Sequence, residues 1–323
     1  MKRPVPEVRA ALERALCANG ASAAEAALLA DVLIEAELRG RPTHGLNRFE
    51  GIVQWLRDRK PAQPRIIEER GPLVRIDGQD ASGYVVAAFM ADQAVRVARR
   101  EGHALVGARN TRHSGMLGYY VAKAAQQGII ALMMADCSPC VAPWGGTEPV
   151  LGTNPIAAAF PAQPYPILID MGTSAITYGA LDLIRKAGGK APPDAVLDSE
   201  GRVTRDPSAV AAILPFGGHK GYALGLLAQL LAGVTVGAAA VPAGHVDYGL
   251  FMLAMRPDLF APQEHYESGV RELIRKIKSV KPMAGHAEVL IPGERAFRER
   301  ERRLKDGLEI SDAQWATILQ GGK

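Results

Sequence analysis

From Leu73 to Met255 short β-rich runs alternate with helical ones, and that alternation restricts the chain to layered α/β architectures. Ala104–Ala108 reads as a strand, Met116–Gln127 as a helix and Ile129–Ala135 as a buried strand. Ile156–Phe160, Ile167–Met171 and Leu250–Met255 read as further strands. The run Gly221–Val236 is apolar enough for a deeply buried helix, and Glu264–Ser279 and Gly293–Lys305 read as helices. Gly188–Pro207, rich in glycine, proline and charge, is expected to be a surface excursion. No internal repeat or low-complexity tract interrupts the pattern.

The first 40 residues are helical in pattern. Pro6 suits a first helical turn and Gly20 a stop. Ser22 with Glu25 forms a capping box that opens a second helix, which carries Leu29, Leu33 and Ala36 on one face and ends at Gly40. Thr43–Arg57 is a third helix or a loop entering one. In ERAFRERERRLK, three acid–base pairs stand four apart with the acid first (Glu294/Arg298, Glu299/Arg303, Glu301/Lys305), which predicts a solvated helix face. The chain thus divides into an N-terminal helical part (1–72), a central α/β part (73–255) and a C-terminal return to the first part (256–323).

The net charge of +4 over 323 residues is mild; it suits anionic ligands and gives no case for nucleic acid. Cys17, Cys137 and Cys140 lack the count and spacing of a disulfide framework, which points to a reducing compartment. Cys137 and Cys140 form a C-x-x-C without a second pair or nearby histidines, so no metal is expected, only two buried or pocket-lining thiols. No signal peptide is expected at the N-terminus, and no run reaches the roughly 18 uncharged apolar residues of a membrane span, so a cytoplasmic protein is expected.

Among 34 glycines no two are separated by a single residue, so the G-x-G-x-x-G fingerprint of dinucleotide-binding Rossmann folds is missing, as is the Walker motif. The glycines gather in five other clusters. RPTHGLNR places Thr43, His44 and Arg48 together: a proton carrier near neutral pH, a hydroxyl, and a guanidinium able to grip a carboxylate at two points. A helix start with Thr43 as cap is the plainer alternative. RNTRHSGMLGYY ends a strand and opens a helix whose N-terminus attracts phosphate, with His113 at its mouth. CSPCVAPWGGTEPVLGTNP is a long loop between strands, in which Asn154 before Pro155 is expected in a turn with an outward amide. LIDMGTSAITYG sets Asp170, Thr173 and Ser174 at a strand end, and LPFGGHKGY sets His219 and Lys220 at a helix start.

In order and wording these clusters resemble the malate/L-lactate dehydrogenase family of the second, non-Rossmann type, from about Leu12 to Ile318. That family includes ureidoglycolate, sulfolactate and diketogulonate enzymes and cyclic imino acid reductases. The resemblance implies the family's own α/β fold and a homodimer with its active site close to the subunit boundary. It implies NAD(H) or NADP(H) as cofactor, a small carboxylate as substrate, and hydride transfer between a 2-oxo and a 2-hydroxy acid. Reduction of a 2-imino acid and a cofactor-binding member without catalysis are the alternatives. His44 matches the proton donor, His113 a second acid/base histidine, and Arg48 the carboxylate-binding arginine. Thr43, Thr153 and Asn154 fall beside the substrate. Cofactor contacts fall on Ser114, Gly115, Met116, Leu117, Ser138, Asp170, Met171, Gly172, Thr173, Ser174, His219, Lys220, Pro292, Gly293 and Glu294. Thr43 stands where serine is usual, Ile52 where tyrosine is frequent, Ala180 where a charge is frequent, and Gly237–Gly249 is short, all of which bear on the substrate.

Overall fold

The computed structural model describes residues 1–321. In chain order the strands are β1 (Lys2–Arg3), β2 (Arg65–Arg70), β3 (Leu73–Asp77), β4 (His103–Thr111), β5 (Ile130–Ala135), β6 (Ile156–Phe160), β7 (Ile167–Met171), β8 (Val196–Leu197), β9 (Val203–Thr204), β10 (Ala212–Ile213), β11 (Tyr248–Met255) and β12 (Leu308–Glu309). The α-helices are α1 (Val5–Ala18), α2 (Ala23–Leu38), α3 (Phe49–Asp58), α4 (Gly83–Glu101), α5 (Leu117–Gln126), α6 (Tyr178–Lys186), α7 (His219–Ala228), α8 (Gln263–Lys278), α9 (Glu294–Asp306) and α10 (Asp312–Gly321). Two compact units result. The first joins Met1–Pro61, Phe160–Leu168 and the chain from Pro257 onward; the second joins Ala62–Ala159 and Ile169–Arg256.

The first unit is built on α2. Ser22 caps it by accepting the Glu25 N–H at 3.2 Å. The reciprocal half of the capping box is absent, because the Glu25 carboxylate turns instead to Arg59, with Nη1 at 2.6 Å from Oε1. Leu29, Leu33 and Ala36 are buried as expected, but so are Val32, Ile34 and Leu38 on other faces. The helix is therefore enclosed, and its buried carboxylates need partners. Glu35 pairs with Arg39 at 3.0 Å and with Arg300 of α9 at 2.8 Å. Arg303 of α9 donates to the Glu37 carbonyl at 2.7 Å. The solvated face of α9 is present, with Glu294–Arg298 and Glu299–Arg303 paired as expected and Phe297 the buried residue of the helix; Arg300 and Arg303 in addition bond α2. The segment opening at Pro42 is two 3₁₀ turns, Pro42–His44 and Leu46–Arg48, leading into α3.

The second unit centres on a seven-stranded sheet ordered β2-β3-β4-β11-β5-β6-β7. β3 and β4 form a parallel pair with α4 between them in sequence; β2/β3, β4/β11, β11/β5 and β5/β6 are antiparallel. The late strand β11 slots between β4 and β5, with Leu253 opposite both Leu105 and Leu132. The pleat sends Phe251, Leu132 and Met134 to one face, against Ala228 and Ala232 of α7 and its extension. Met252 and Ala254 point to the other face and are fully buried.

Two expectations fail here. Gly188–Pro207 contains β8 and β9, which join β10 in a small sheet, and Ala191, Ala195 and Val196 pack on Val141, Leu151 and Ile213. The excursion thus supplies a second core beneath the loop that follows Cys140. The apolar run from Gly221 is α7 followed by a π-helical stretch, Gln229–Thr235, that buries its small residues and leaves Leu226, Leu227, Leu230 and Val234 exposed.

The Arg59–Glu25 pair is almost entirely removed from water, with side-chain exposures of 7% and 4%. Arg59→Ala leaves a buried carboxylate uncompensated and should lower unfolding stability by about 3–5 kcal/mol. Denaturant melts of the single variant and of Arg59→Ala with Glu25→Leu check this, the double change recovering most of the loss.

Candidate active site

In the first unit the 3₁₀ turns put Thr43, His44 and Arg48 on one short loop. Thr43 Oγ1 lies 3.0 Å from His44 Nδ1, and Arg48 Nε donates to the Thr43 carbonyl at 2.8 Å. Arg48 therefore spends its inner nitrogen on the loop and keeps its two terminal nitrogens without a hydrogen bond among the described residues, the end a carboxylate grips. Loss of bulk water pushes the His44 imidazole down to about 4, with Arg48 and then Arg41 adding to the effect. Beneath the loop, the buried Glu37 accepts the Leu46 N–H at 2.8 Å. A side chain at Gly45 would collide with this carboxylate. Burial raises the Glu37 carboxyl above its ordinary range, partly offset by the Leu46 N–H and Arg303. Nothing in the local motif announced Glu37; the only signal was an acid inside an apolar helix.

Also in the first unit, Pro292 O accepts the Leu168 N–H at 3.0 Å, and Gly293, at φ +90°, packs on Leu168 where no side chain fits. Glu294 is engaged with Lys278 at 2.8 Å, with Arg298, and with the Ile291 N–H.

In the second unit the structure draws three of the glycine clusters into one assembly. Thr173 donates its N–H to Thr153 O at 2.9 Å and accepts the Phe216 N–H at 3.1 Å, while Ala175 N–H bonds Leu214 O. At the centre is Asn154, at φ +33° and fully buried. Its amide is not outward as expected: Nδ2 donates to Gly225 O at 2.9 Å and to Gln229 Oε1 at 2.8 Å. Gln229 in turn donates to Asp136 at 3.1 Å, and Asp136 accepts the Gly249 N–H at 2.7 Å. Desolvation pushes the Asp136 carboxyl up to about 7. Asn154 thus holds the loops together rather than offering its amide group outward; Gln229, the polar residue of an apolar run, was the overlooked clue.

The two helix starts singled out in the sequence differ. At α5, Asp170 Oδ2 accepts the Gly118 N–H at 3.2 Å, so the chain's own carboxylate already occupies that N-terminus. Ser114 O accepts from Tyr120 OH at 2.7 Å, and Met116 and Leu117 are buried. At α7 no side chain caps the helix. The Gly218 and His219 N–H groups make no hydrogen bond among the described residues, and His219 and Lys220 are exposed beside them. Gly217 and Gly218 both have positive φ, and the exposed Trp144 indole stands over Gly218. Free backbone donors, a lysine and a flat ring are a donor set that fits a dinucleotide phosphate and its base. Ser138 is taken up by Gly244 O, Tyr248 OH and His245 Nδ1, the last at 3.1 Å. Met171 is exposed, Gly172 lies near Ser174, and Ser174 donates to Ile176 O at 2.8 Å.

The chain belongs to the malate/L-lactate dehydrogenase family, whose sequence profile matches residues 4–319. It is 36% identical to an L-sulfolactate dehydrogenase of Methanothermobacter thermautotrophicus, over 90% of this chain and 88% of that protein. It is 34% identical to a malate dehydrogenase of Pyrococcus abyssi, over 95% and 90%. A dehydrogenase from Sinorhizobium meliloti has a similar solved structure, with a TM-score of 0.93 and 30% identity, covering 100% of this chain and 98% of that one.

With a folded-state value near 4 against 6.5, His44 stays neutral in the fold where the unfolded chain takes up a proton. The unfolded state then binds more protons between those values, so this group makes stability fall as pH drops from about 6.5 toward 4. Melting temperatures across that range should decline less steeply in His44→Asn than in the parent.

Proposed function

We propose that this protein is a nicotinamide-dependent oxidoreductase interconverting a small 2-oxo acid and its 2-hydroxy acid. The observation that carries the reading is the loop on which Arg48, its terminal nitrogens turned free, stands beside a neutral His44. Arg48 grips the substrate carboxylate. A nicotinamide dinucleotide, when bound, would supply the hydride chemistry at C2. In the oxidising direction the neutral His44 accepts the hydroxyl proton. In the reducing direction it must first take up a proton, which an anionic carboxylate beside it favours. In the second unit, Lys220, His219 and the uncapped start of α7 would hold the cofactor's phosphates, with Thr173 and Ser174 close by; His113 is the second acid/base candidate. The three cysteines are free thiols. No described helix is long and apolar enough to cross a membrane.

NADH and NADPH titrated by fluorescence should reveal which cofactor binds, and a panel of 2-oxo acids with one cyclic 2-imino acid should reveal the substrate. Arg48→Lys should raise KM by about 10- to 100-fold, the worth of a charged hydrogen bond of roughly 1.5–3 kcal/mol, because an ammonium cannot make the planar two-point contact. His44→Ala should lower kcat by about 10²–10⁴ while leaving cofactor affinity intact. Binding of cofactor without turnover on any member of the panel would mean a protein that has lost catalysis.

The reading includes a homodimer. Leu226, Leu230 and Val234 recur at four-residue steps and are 38%, 47% and 49% exposed, a face that a second copy would cover. Light scattering at micromolar concentration should give twice the 34.4 kDa chain mass. Leu230→Glu should shift it toward the monomer.

A further inference from the structure

The start of α4 is built against the segment that carries His113. A side chain at Gly83 would collide with the carbonyls of Arg112 and His113, so the helix begins flush with that backbone. The next residue, Tyr84, is 3% exposed. Its ring fills the space beside Gly115, where a β-carbon would meet it, and Gly115 adopts φ +73°. The same ring lies 5.9 Å from the His113 imidazole, tilted by 55°. Tyr120 closes the turn from the other side by donating its hydroxyl to Ser114 O at 2.7 Å. Within this turn the Gly115 N–H donates to His113 Nδ1 at 3.2 Å.

A backbone N–H can only donate, so Nδ1 must carry a lone pair. The imidazole is then neutral, with its hydrogen on Nε2. Such a ring can offer an Nε2–H hydrogen bond to a ligand oxygen, but it cannot surrender that proton without becoming an imidazolate. A neutral histidine used as a hydrogen-bond donor to a developing oxyanion is established chemistry.

We infer that Tyr84 is a positioning residue that wedges the Ser114–Gly115 turn and so locks His113 as an Nε2–H donor, which polarises a substrate oxygen and does not exchange a proton, a role that replaces the acid/base one named for it above. The role of this donor rests on the oxidoreductase reading; the locked tautomer does not.

The test is long-range ¹H–¹⁵N correlation on the full-length protein labelled at its histidines, with His113 assigned from His113→Gln. At pH 8 the parent and Tyr84→Phe should show His113 as a single fixed Nε2–H tautomer. Tyr84→Met, which keeps much of the volume but not the flat ring, should show tautomeric averaging. The accompanying loss in kcat should be about 10- to 100-fold, short of the roughly 10²–10³ of losing an oxyanion donor outright, with cofactor affinity unchanged. Tyr84→Phe should keep kcat within about twofold, since the ring and not the hydroxyl is the wedge. An averaged or Nδ1–H tautomer in the parent overturns the inference without any variant. So does a fixed tautomer surviving in Tyr84→Met. Absence of turnover with a fixed parent tautomer would count against the oxidoreductase reading alone.

Discussion

Asn154 has no access to solvent, and the way its two amide hydrogens are paired, with Oδ1 left without a hydrogen bond among the described residues, ties three loops of the second unit together. A primary amide left unpaired in a protein interior costs about 1–3 kcal/mol, so its hydrogens are not free to face a ligand. Both are taken, one by α7 and one by Gln229 on the π-helical stretch that continues α7. The extra residue per turn there belongs to the segment that turns Gln229 toward Asn154 and Asp136, and π-turns recur where a helix must aim a functional side chain. From Asp136 the network ends on the Gly249 N–H, in the strand that divides the sheet. The loop geometry around Thr153, Thr173 and Phe216 is thus tied to the most central strand rather than to the surface. Asp136 has no cation in this network; two N–H donors and burial leave it titrating near neutrality.

The first unit solves the same problem with charge. Glu37 lies where an aliphatic residue would pack more cheaply, and its carboxylate is used to hold a backbone N–H in the middle of the His44–Arg48 loop. Gly45 is the consequence, because any side chain there would displace that carboxylate. The arginines of α9 complete the arrangement, Arg303 at the Glu37 carbonyl and Arg300 at Glu35. A helix with strong local ion pairs on one side therefore also serves as the partner for buried acids on another helix.

Much of this was legible before any coordinates. Strands β6 and β7 appear at Ile156–Phe160 and Ile167–Met171 as read, because a short apolar run between turn residues has few alternatives. Ser22 caps α2 because a hydroxyl and the third following N–H are local neighbours. Several of the failures come from the choice of a distant partner. That Arg300 and Arg303 also reach α2, at the Glu35 carboxylate and the Glu37 carbonyl, shows in no local pattern because those partners are more than 260 residues away. Strand β2, Arg65–Arg70, carries four charged residues in six and has no apolar alternation; it exists because β3 offers it an edge. The run from Gly221 reads as buried because its leucines are apolar, yet Leu226, Leu227, Leu230 and Val234 are exposed in this chain, and apolar composition does not say which face a helix turns inward. Asn154 was turned the wrong way because a turn before proline ordinarily faces water.

The two histidines reach neutrality by different routes, and the difference matters for the chemistry proposed. At His113 the inferred neutral form comes from the Gly115 N–H, a backbone donor hydrogen-bonded to Nδ1 at 3.2 Å. At His44 it is imposed by lost hydration and by the positive charge of Arg48 and Arg41, which a ligand can change. A carboxylate bound at Arg48 would offset that charge and make the imidazolium easier to form. On the function proposed here, substrate capture and proton uptake would be linked through one guanidinium: the group that attracts the acid adds to the desolvation that keeps His44 deprotonated until the acid arrives. The linkage is reciprocal, so protonating His44 must tighten carboxylate binding by the same factor that binding raises its proton affinity. A catalytic histidine governed in this way needs no buried carboxylate to tune it, which is consistent with Glu37 being spent on the Leu46 N–H instead.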